Sequence, residues 1–162
     1  MKIYLIGLPG SGKTTIGKIL ADEISYNFID LDGLVEKNAL MFIDEIIDRY
    51  GRSKYQELET IALNNIKEQL NTVIACGEGI VEDLNNKTLM NGVVVLLDVE
   101  LPVIGMRLEN DNYREILKEQ TLEELDKQRF LKYRNFADVI INNNHSIKET
   151  INNILEYVNI KR

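Results

Sequence analysis

Cysteine and histidine are nearly absent from the 162-residue chain: Cys76 is the only cysteine and His145 the only histidine. A single cysteine excludes an intramolecular disulfide, and one of each residue excludes a zinc finger or zinc ribbon. A Ser-His-Asp catalytic site is excluded as well, unless it uses His145. No apolar run approaches the ~18 residues of a membrane-spanning helix, and the apolar residues 1–8 are too few for a signal-peptide core. We therefore expect a cytoplasmic protein without membrane contacts.

The composition is that of a folded, soluble chain, with 44% hydrophobic and 28% charged residues. A chain of this length buries roughly 70% of its unfolded surface, so it needs neither a disulfide nor a structural metal to fold. The 26 acidic and 19 basic residues leave a net charge of −7, which argues against broad nucleic-acid binding. We expect a single domain over residues 1–162, a monomer that acts on a small-molecule substrate.

Short apolar, β-branched runs alternate with amphipathic stretches along the whole chain. Runs of this kind are typical of strands buried on both faces of a parallel sheet, and the stretches between them have helical spacing. The alternation predicts a three-layer α/β sandwich, a five-stranded parallel sheet with helices on both faces. The predicted strands cover residues 3–6, 28–29, 72–76, 93–97 and 139–141, and the predicted helices cover 15–24, 42–50, 53–70, 82–90, 102–109, 121–135 and 146–158.

The strongest motif is the phosphate loop, residues 7–14, which reads GLPGSGKT and matches G-x-x-x-x-G-K-[ST] in full. It lies between a predicted strand and a predicted helix, where its backbone N–H groups can surround a phosphate. Lys13 is predicted to reach the β- and γ-phosphates, and Thr14 to offer its hydroxyl to Mg²⁺. The loop does not identify a phosphoryl acceptor, because molecular switches, motors and kinases all contain it. The residues predicted to bind the nucleotide here are Gly10, Ser11, Gly12, Lys13, Thr14 and Thr15.

Several further motifs follow in a fixed order. They are Ile-Asp-Leu-Asp at 29–32, Gly51 with Tyr55 and Glu59, the segments 73–79 and 93–98, Arg114 in a polar loop, and residues 129–133 ahead of Ala137 and Asp138. In these motifs, and in the phosphate loop continued to Lys18, the chain resembles the shikimate kinase family over about residues 1–153. The resemblance implies a P-loop kinase of aromatic amino acid biosynthesis that transfers the γ-phosphoryl of ATP to a hydroxyl of shikimate. Alternatives are a related kinase of another small hydroxylated metabolite and a nucleotide-binding module without transfer activity.

The resemblance also implies roles for the carboxylates of the second motif. Asp30 would join Thr14 in holding Mg²⁺ through its water shell, and Asp32 would orient the acceptor hydroxyl and take its proton, as phosphoryl transfer requires. If the strand continues to Asp32, both side chains project from the same side of it. Asp32 could instead only cap the helix that follows.

Two arginines would face the nucleotide by the same resemblance. Arg114 would reach the γ-phosphoryl from a lid over about residues 110–119, which makes Lys13, Asp32 and Arg114 the implied catalytic residues. Arg107 would lie against the adenine. Either arginine could instead be an ordinary exposed charge. The family has Arg-Pro-Leu where this chain has Arg114, Glu115 and Ile116.

The acceptor side, about residues 33–60 together with two later segments, departs from the family. Arg129 would grip the substrate carboxylate, because its planar fork meets two oxygens at once. It could also be a plain exposed helix charge. The family has a second arginine where this chain has Gln56, and three glycines where it has Gly77, Glu78 and Gly79. The implied substrate-binding residues are Asp32, Gln56, Gly77, Glu78, Gly79 and Arg129.

Glu78 introduces a carboxylate at the turn beside the phosphate-loop strand, and three interpretations of it stand open. It could hold a water on Mg²⁺. It could repel a carboxylated acceptor and favour one with extra hydroxyls or an amine. It could also turn outward or pair with a basic neighbour. Arg52, four residues before Gln56, could supply the missing cation, although the helix macrodipole disfavours a cation at a helix N-terminus.

Overall fold

The computed structural model describes residues 1–109 and 115–160. Within them, no helix is both long enough and apolar enough to cross a bilayer. The strands are β1 (Lys2–Ile6), β2 (Asn27–Asp30), β3 (Thr72–Ala75), β4 (Val93–Asp98) and β5 (Val139–Asn142). The helices are α1 (Lys13–Ile24), α2 (Leu31–Ala39), α3 (Ile43–Tyr50), α4 (Arg52–Asn65), α5 (Asn85–Leu89), α6 (Leu101–Leu108), α7 (Glu115–Glu119), α8 (Leu122–Phe136) and α9 (Ile147–Val158), with a 3₁₀ turn at Ile80–Glu82.

The five strands form one parallel sheet in the order β2-β3-β1-β4-β5. The central strand β1 pairs with β3 on one side and β4 on the other, with Leu5 opposite Ala75 and Val95. Because all strands run the same way, the loops that follow β1, β2 and β3 meet at one edge of the sheet. That edge brings the phosphate loop, the Asp30–Asp32 segment and the Gly77 turn together.

Two apolar cores lie on opposite faces of the sheet, which confirms the predicted three-layer arrangement. Alternate residues of β1 belong to opposite cores. Ile3 and Leu5 pack against α1 and α9, whereas Tyr4 and Ile6 pack in the core on the other face, with the remaining helices. All four are fully buried. The continuous apolar strands of the sequence therefore reflect burial on both faces.

Helix α2 begins earlier than the helix that Asp32 could have capped, and β2 does not continue to Asp32, so the two carboxylates do not project from one strand. The strand ends at Asp30, whose Oδ1 accepts hydrogen bonds from the backbone N–H groups of Asp32 (3.2 Å) and Gly33 (3.5 Å). Asp30 is therefore the N-cap, and the following helix begins without an intervening loop. Asp32 lies in the first helical turn and does not cap the helix.

Two other predicted helices are shorter in the structure. Helix α4 ends at Asn65 rather than residue 70, where the Lys2 ammonium donates to the carbonyls of Ile66 (3.2 Å) and Lys67. Lys2 thus satisfies carbonyls at the helix end. The segment predicted as one helix over 82–90 is the 3₁₀ turn followed by α5, because the Asp83 carboxylate accepts from the backbone N–H of Asn85 (2.9 Å) and starts a new turn.

Removing one core side chain tests this packing. Leu20 of α1 is fully buried against the sheet, so Leu20→Ala should lower the free energy of unfolding by about 2–5 kcal/mol. Leu131→Ala, on the exposed surface of α8, should change it by no more than about 0.5 kcal/mol. Urea unfolding followed by circular dichroism measures both. Equal losses in the two variants would contradict the assignment of this core.

Candidate functional site

A cavity of about 700 Å³ opens at the carboxyl edge of the sheet. The phosphate loop forms one wall, and Asp32, the Gly77 turn and the start of α4 form the other. Helix α3 closes one side with the apolar residues Ile43 and Ile47. The cavity therefore places a phosphate-binding loop opposite a group of carboxylates, with a partly apolar wall between them.

The phosphate loop has the conformation that its glycines allow. Gly10 and Gly12 have φ angles of 78° and 99°, in the left-handed region, and Gly12 is the N-cap of α1. Lys13 Nζ donates to the carbonyls of Gly7 (2.8 Å) and Leu8 (2.9 Å), so its chain folds back over the loop. The first N–H groups of α1 and the Lys13 ammonium thus converge on one end of the cavity, which is a site for anionic phosphates.

Asn143 and Arg107 brace the phosphate loop from outside. The Asn143 amide donates to the carbonyl of Ser11 (2.8 Å), and its oxygen accepts from the Thr150 hydroxyl (2.7 Å). The Arg107 guanidinium donates to the carbonyls of Gly10 (3.3 Å) and Asn143 (2.6 Å). The family resemblance implies that Arg107 is a nucleotide ligand and that residues 142–146 border the adenine, but the three asparagines are also typical of a plain turn, and the bond from Asn143 to the phosphate loop was not predicted.

Tyr55 joins two carboxyl groups on the acceptor side. Its hydroxyl lies 2.5 Å from Asp32 Oδ1, to which it donates, and 3.3 Å from Glu59 Oε2. Glu59 is buried, and its Oε1 has no hydrogen-bond partner in the described part of the chain. A Cβ at Gly77 would lie 2.7 Å from both Asp32 Oδ1 and the Tyr55 hydroxyl and would collide with Glu59, so any larger residue would displace these side-chain ends. Glycine at this turn is thus compatible with the hydrogen bond between Tyr55 and Asp32.

Burial raises the pKa of Asp32 to about 6. The charges of Glu78 and Asp30 act in the same direction, whereas the hydrogen bond from Tyr55 and the charge of Lys13 lower this pKa. Burial, with the charges of Asp32 and Glu78, also raises the pKa of Glu59 well above its ordinary value. A carboxyl that titrates near neutral pH suits a group that accepts a proton from an acceptor hydroxyl.

Glu78 pairs with basic neighbours, which is the third of its three interpretations. Its Oε2 accepts from Arg129 Nη1 (2.7 Å), and its Oε1 lies 3.8 Å from Arg52 Nη1. The backbone carbonyl of Glu78 accepts from Arg129 Nη1 (2.6 Å) and from the Tyr133 hydroxyl (2.7 Å). Arg129 Nε also donates to Glu82 (2.7 Å). The Arg129 side chain is thus committed to two carboxylates of the protein itself.

The structure places most, but not all, of the predicted site residues at the cavity. Those that line it are Gly10, Gly12, Lys13, Thr14, Thr15, Asp30, Asp32, Gly77, Glu78 and Arg107. Ser11, Gln56, Gly79 and Arg129 are not among the lining residues, and Arg114 lies with residues 110–113 of the predicted lid outside the described residues. Arg52, which the sequence offered only as a substitute cation, lines the cavity together with Tyr55 and α3. The apolar face of α3 could have indicated this wall of the cavity from the sequence, but the same pattern is typical of a helix packed against the core.

A parallel sheet with a glycine-rich loop between β1 and the helix that this loop caps defines an α/β protein of the P-loop kinase class. The shikimate kinase family model matches residues 9–159, and the chain belongs to that family.

Individual relatives agree with this membership. The shikimate kinase of Rippkaea orientalis is 39% identical over 165 residues, which covers 98% of this chain and 88% of that protein. The structure of the Acinetobacter baumannii shikimate kinase in complex with shikimate has a TM-score of 0.91 at 30% identity and covers 97% of this chain and 92% of that one. The structure of the Bacteroides thetaiotaomicron shikimate kinase has a TM-score of 0.89 at 28% identity and covers 99% of this chain and 99% of that one.

The hydrogen bond from Tyr55 should lower the pKa of Asp32, so its removal should raise that pKa. We expect a midpoint near pH 6 for the native chain and one about one unit higher in Tyr55→Phe. The carboxyl carbon signal of Asp32, followed by NMR through a pH titration, measures both values. Tyr157→Phe, which removes an exposed hydroxyl on α9, is the control and should leave the midpoint unchanged. An unshifted midpoint in Tyr55→Phe would show that the hydroxyl does not act on Asp32.

Asn143 should contribute to nucleotide affinity although it need not touch the nucleotide. Asn143→Ala removes the shorter of two side-chain hydrogen bonds to the carbonyl of Ser11, the other coming from Arg107 Nη1 at 3.4 Å, and it removes an acceptor of the Thr150 hydroxyl. We expect this to cost about 1–3 kcal/mol and to loosen the phosphate loop. We expect the affinity for MgATP, measured by calorimetry, to fall about 5- to 50-fold. Asn153→Ala on the exposed surface of α9 is the matched control. The same affinity in both variants would refute a bracing role for Asn143.

Proposed function

We propose that this chain transfers the γ-phosphoryl of ATP to a hydroxyl of shikimate. One observation carries the proposal: the phosphate loop and the Asp32–Tyr55 pair face the same cavity. Membership of the shikimate kinase family supports both the reaction and the acceptor. Both substrates of this reaction, ATP and shikimate, are soluble small molecules. The proposal therefore includes a monomeric protein located in the cytoplasm.

The nucleotide is bound by the phosphate loop in this proposal. Backbone N–H groups of Gly10, Ser11, Gly12, Thr14 and Thr15 hold the β-phosphate, and Lys13 spans the β- and γ-phosphates. Arg107 is held by carbonyls of the loop and of Asn143 at the cavity wall, where it can face the base. Arg114 would complete the charge around the γ-phosphoryl from the lid, as the family resemblance implies.

Thr14 and Asp30 are the residues that would hold Mg²⁺. Both line the cavity, and the two hydrogen bonds that Asp30 accepts fall on Oδ1. The described residues contain no cluster of three or more carboxylate, histidine or cysteine side chains that could hold a metal. A hydroxyl, one carboxylate, phosphate oxygens and water form the mixed oxygen set that Mg²⁺ accepts. Bound there, Mg²⁺ would neutralise charge on the β- and γ-phosphates.

Asp32 acts on the acceptor. Its carboxylate accepts a hydrogen bond from the attacking hydroxyl and so aligns the oxygen with the γ-phosphorus. As the new O–P bond forms and the bond to the β-phosphate oxygen breaks, the hydroxyl proton passes to Asp32 and ADP leaves. Tyr55, bonded to the Oδ1 atom of Asp32, keeps the carboxylate in this orientation. Positioning of this kind supplies most of the catalysis in phosphoryl transfer.

A kinase of another small hydroxylated metabolite is the second candidate. The observation that favours it is the engagement of Arg129 by Glu78, since the family resemblance implies that Arg129 grips the substrate carboxylate. Gln56, where the family has a second arginine, is not among the residues that line the cavity. A binding module without transfer activity is less well supported, because Lys13 and Asp32 both face the cavity.

A coupled assay of ADP release with and without shikimate tests the proposal. We expect shikimate-dependent release from the native chain and a loss of about 10²- to 10⁴-fold in kcat in Asp32→Asn, with KM for ATP unchanged. Asp22→Asn, an exposed position of α1, is the control and should retain the native rate. Release that shikimate does not increase would reject shikimate as the acceptor. Release by Asp32→Asn at the native rate would reject the role of the carboxylate.

A further inference from the structure

Glu78 separates Arg129 from the cavity. Glu78 lines the cavity, whereas Arg129 is only 2% exposed and does not line it. Arg129 already donates to the carboxylates of Glu78 and Glu82, at 2.7 Å in each case. A third carboxylate at Arg129 would meet two like charges at short range. The acidic group of an acceptor therefore needs another partner.

Arg52 is the cation that the cavity offers instead. It lines the cavity, and its ion pairs are long: Nη1 lies 3.8 Å from Glu78 and Nε 3.4 Å from Glu119. Within the described residues, its Nη2 atom is buried and has no hydrogen-bond partner, and its buried Nε makes no hydrogen bond, although the Glu119 carboxylate lies 3.4 Å away. Buried N–H groups without an acceptor are rare and costly, so an oxygen ligand at this guanidinium would recover free energy.

Arg52 lies close enough to Asp32, the residue proposed to bind the acceptor hydroxyl, for one small molecule to contact both. Arg52 begins α4 and precedes Tyr55 by three residues, about 4.5 Å along the helix axis and on the same side. Tyr55 in turn contacts Asp32. One small molecule can therefore present a hydroxyl to Asp32 and a carboxylate to Arg52. The N-terminus of a helix disfavours a cation, which gives Arg52 a further need for an anion.

We propose that Arg52 binds the carboxylate of the acceptor, and that Glu78 transfers this role to Arg52 by occupying Arg129. The inference rests on the proposed function, because it names the residue that recognises the acid group of shikimate. Gln56 carries no charge and is not among the residues that line the cavity, so it is a weaker candidate for this role. A guanidinium can meet both oxygens of a carboxylate at once.

The test compares shikimate with its neutral methyl ester as acceptors in the ADP-release assay. For the native chain, KM for the ester should exceed KM for the acid by about 10- to 100-fold, the effect of a charge-assisted hydrogen bond. In Arg52→Gln this ratio should fall towards one, with KM for ATP unchanged. Arg52→Lys should give an intermediate ratio, because it keeps the charge and loses the fork. Arg49→Gln, an exposed arginine of α3 outside the cavity, is the control for lost charge and should keep the native ratio.

Several outcomes would overturn the inference. A native ratio near one would show that no cation recognises the carboxylate, and this result needs no variant. A ratio in Arg52→Gln equal to that of the native chain would exclude Arg52, as would a loss of kcat alone. If Arg52→Gln fails to fold, as judged by circular dichroism, an unchanged ratio in Arg52→Lys decides against the guanidinium. A native chain that does not use shikimate refutes the proposed function itself, which is a separate and recognisable failure.

Discussion

The approach of the Gly77 turn to Asp32, Tyr55 and Glu59 is the contact on which the acceptor side of the site depends. A side chain at Gly77 would displace the ends of these three residues, which come from α2 and α4. The turn itself follows β3, next to the strand that carries the phosphate loop. A single close contact thus sets the distance between the carboxylate that would receive a proton and the loop that would hold the phosphates.

Acidic residues outnumber basic ones in the lining of the cavity, as they do in the whole chain, which carries a net charge of −7. The basic lining residues are Lys13, Arg52 and Arg107, and the acidic ones are Asp30, Asp32, Glu36, Asp44 and Glu78. The cations of the nucleotide side lie against backbone carbonyls, whereas Arg52 lies against carboxylates. This distribution leaves the phosphate end attractive to anions and makes the acceptor end selective, because each new anion there must fit among fixed carboxylates.

The fold class and the family were predictable from the sequence, and the structure and the comparisons confirm them. The buried parallel strands have a composition that few other environments produce, and the phosphate loop has a spacing that its chemistry requires. Helix α2 was not predictable in the same way. Its cap, Asp30, is also the last residue of β2, so the strand and helix patterns run into each other without a turn.

The pairing of Glu78 with Arg129 could be stated from the sequence only as one of three interpretations. Its two residues are 51 positions apart, and either could have paired elsewhere. Asn143 lies 132 positions from the loop carbonyl to which it donates, and the family resemblance placed its segment beside the adenine without indicating this bond.

The sequence by itself determined the strand and helix alternation, the phosphate loop and the family, because these depend on local periodicity and on closely spaced residues. Only the tertiary structure decided which cation meets which carboxylate, because partners far apart in the chain are brought together by the order of the strands and by the packing of α4 and α8 around the Gly77 turn. Side-chain pairing across such distances depends on burial and hydrogen-bond geometry, which no spacing in the sequence encodes.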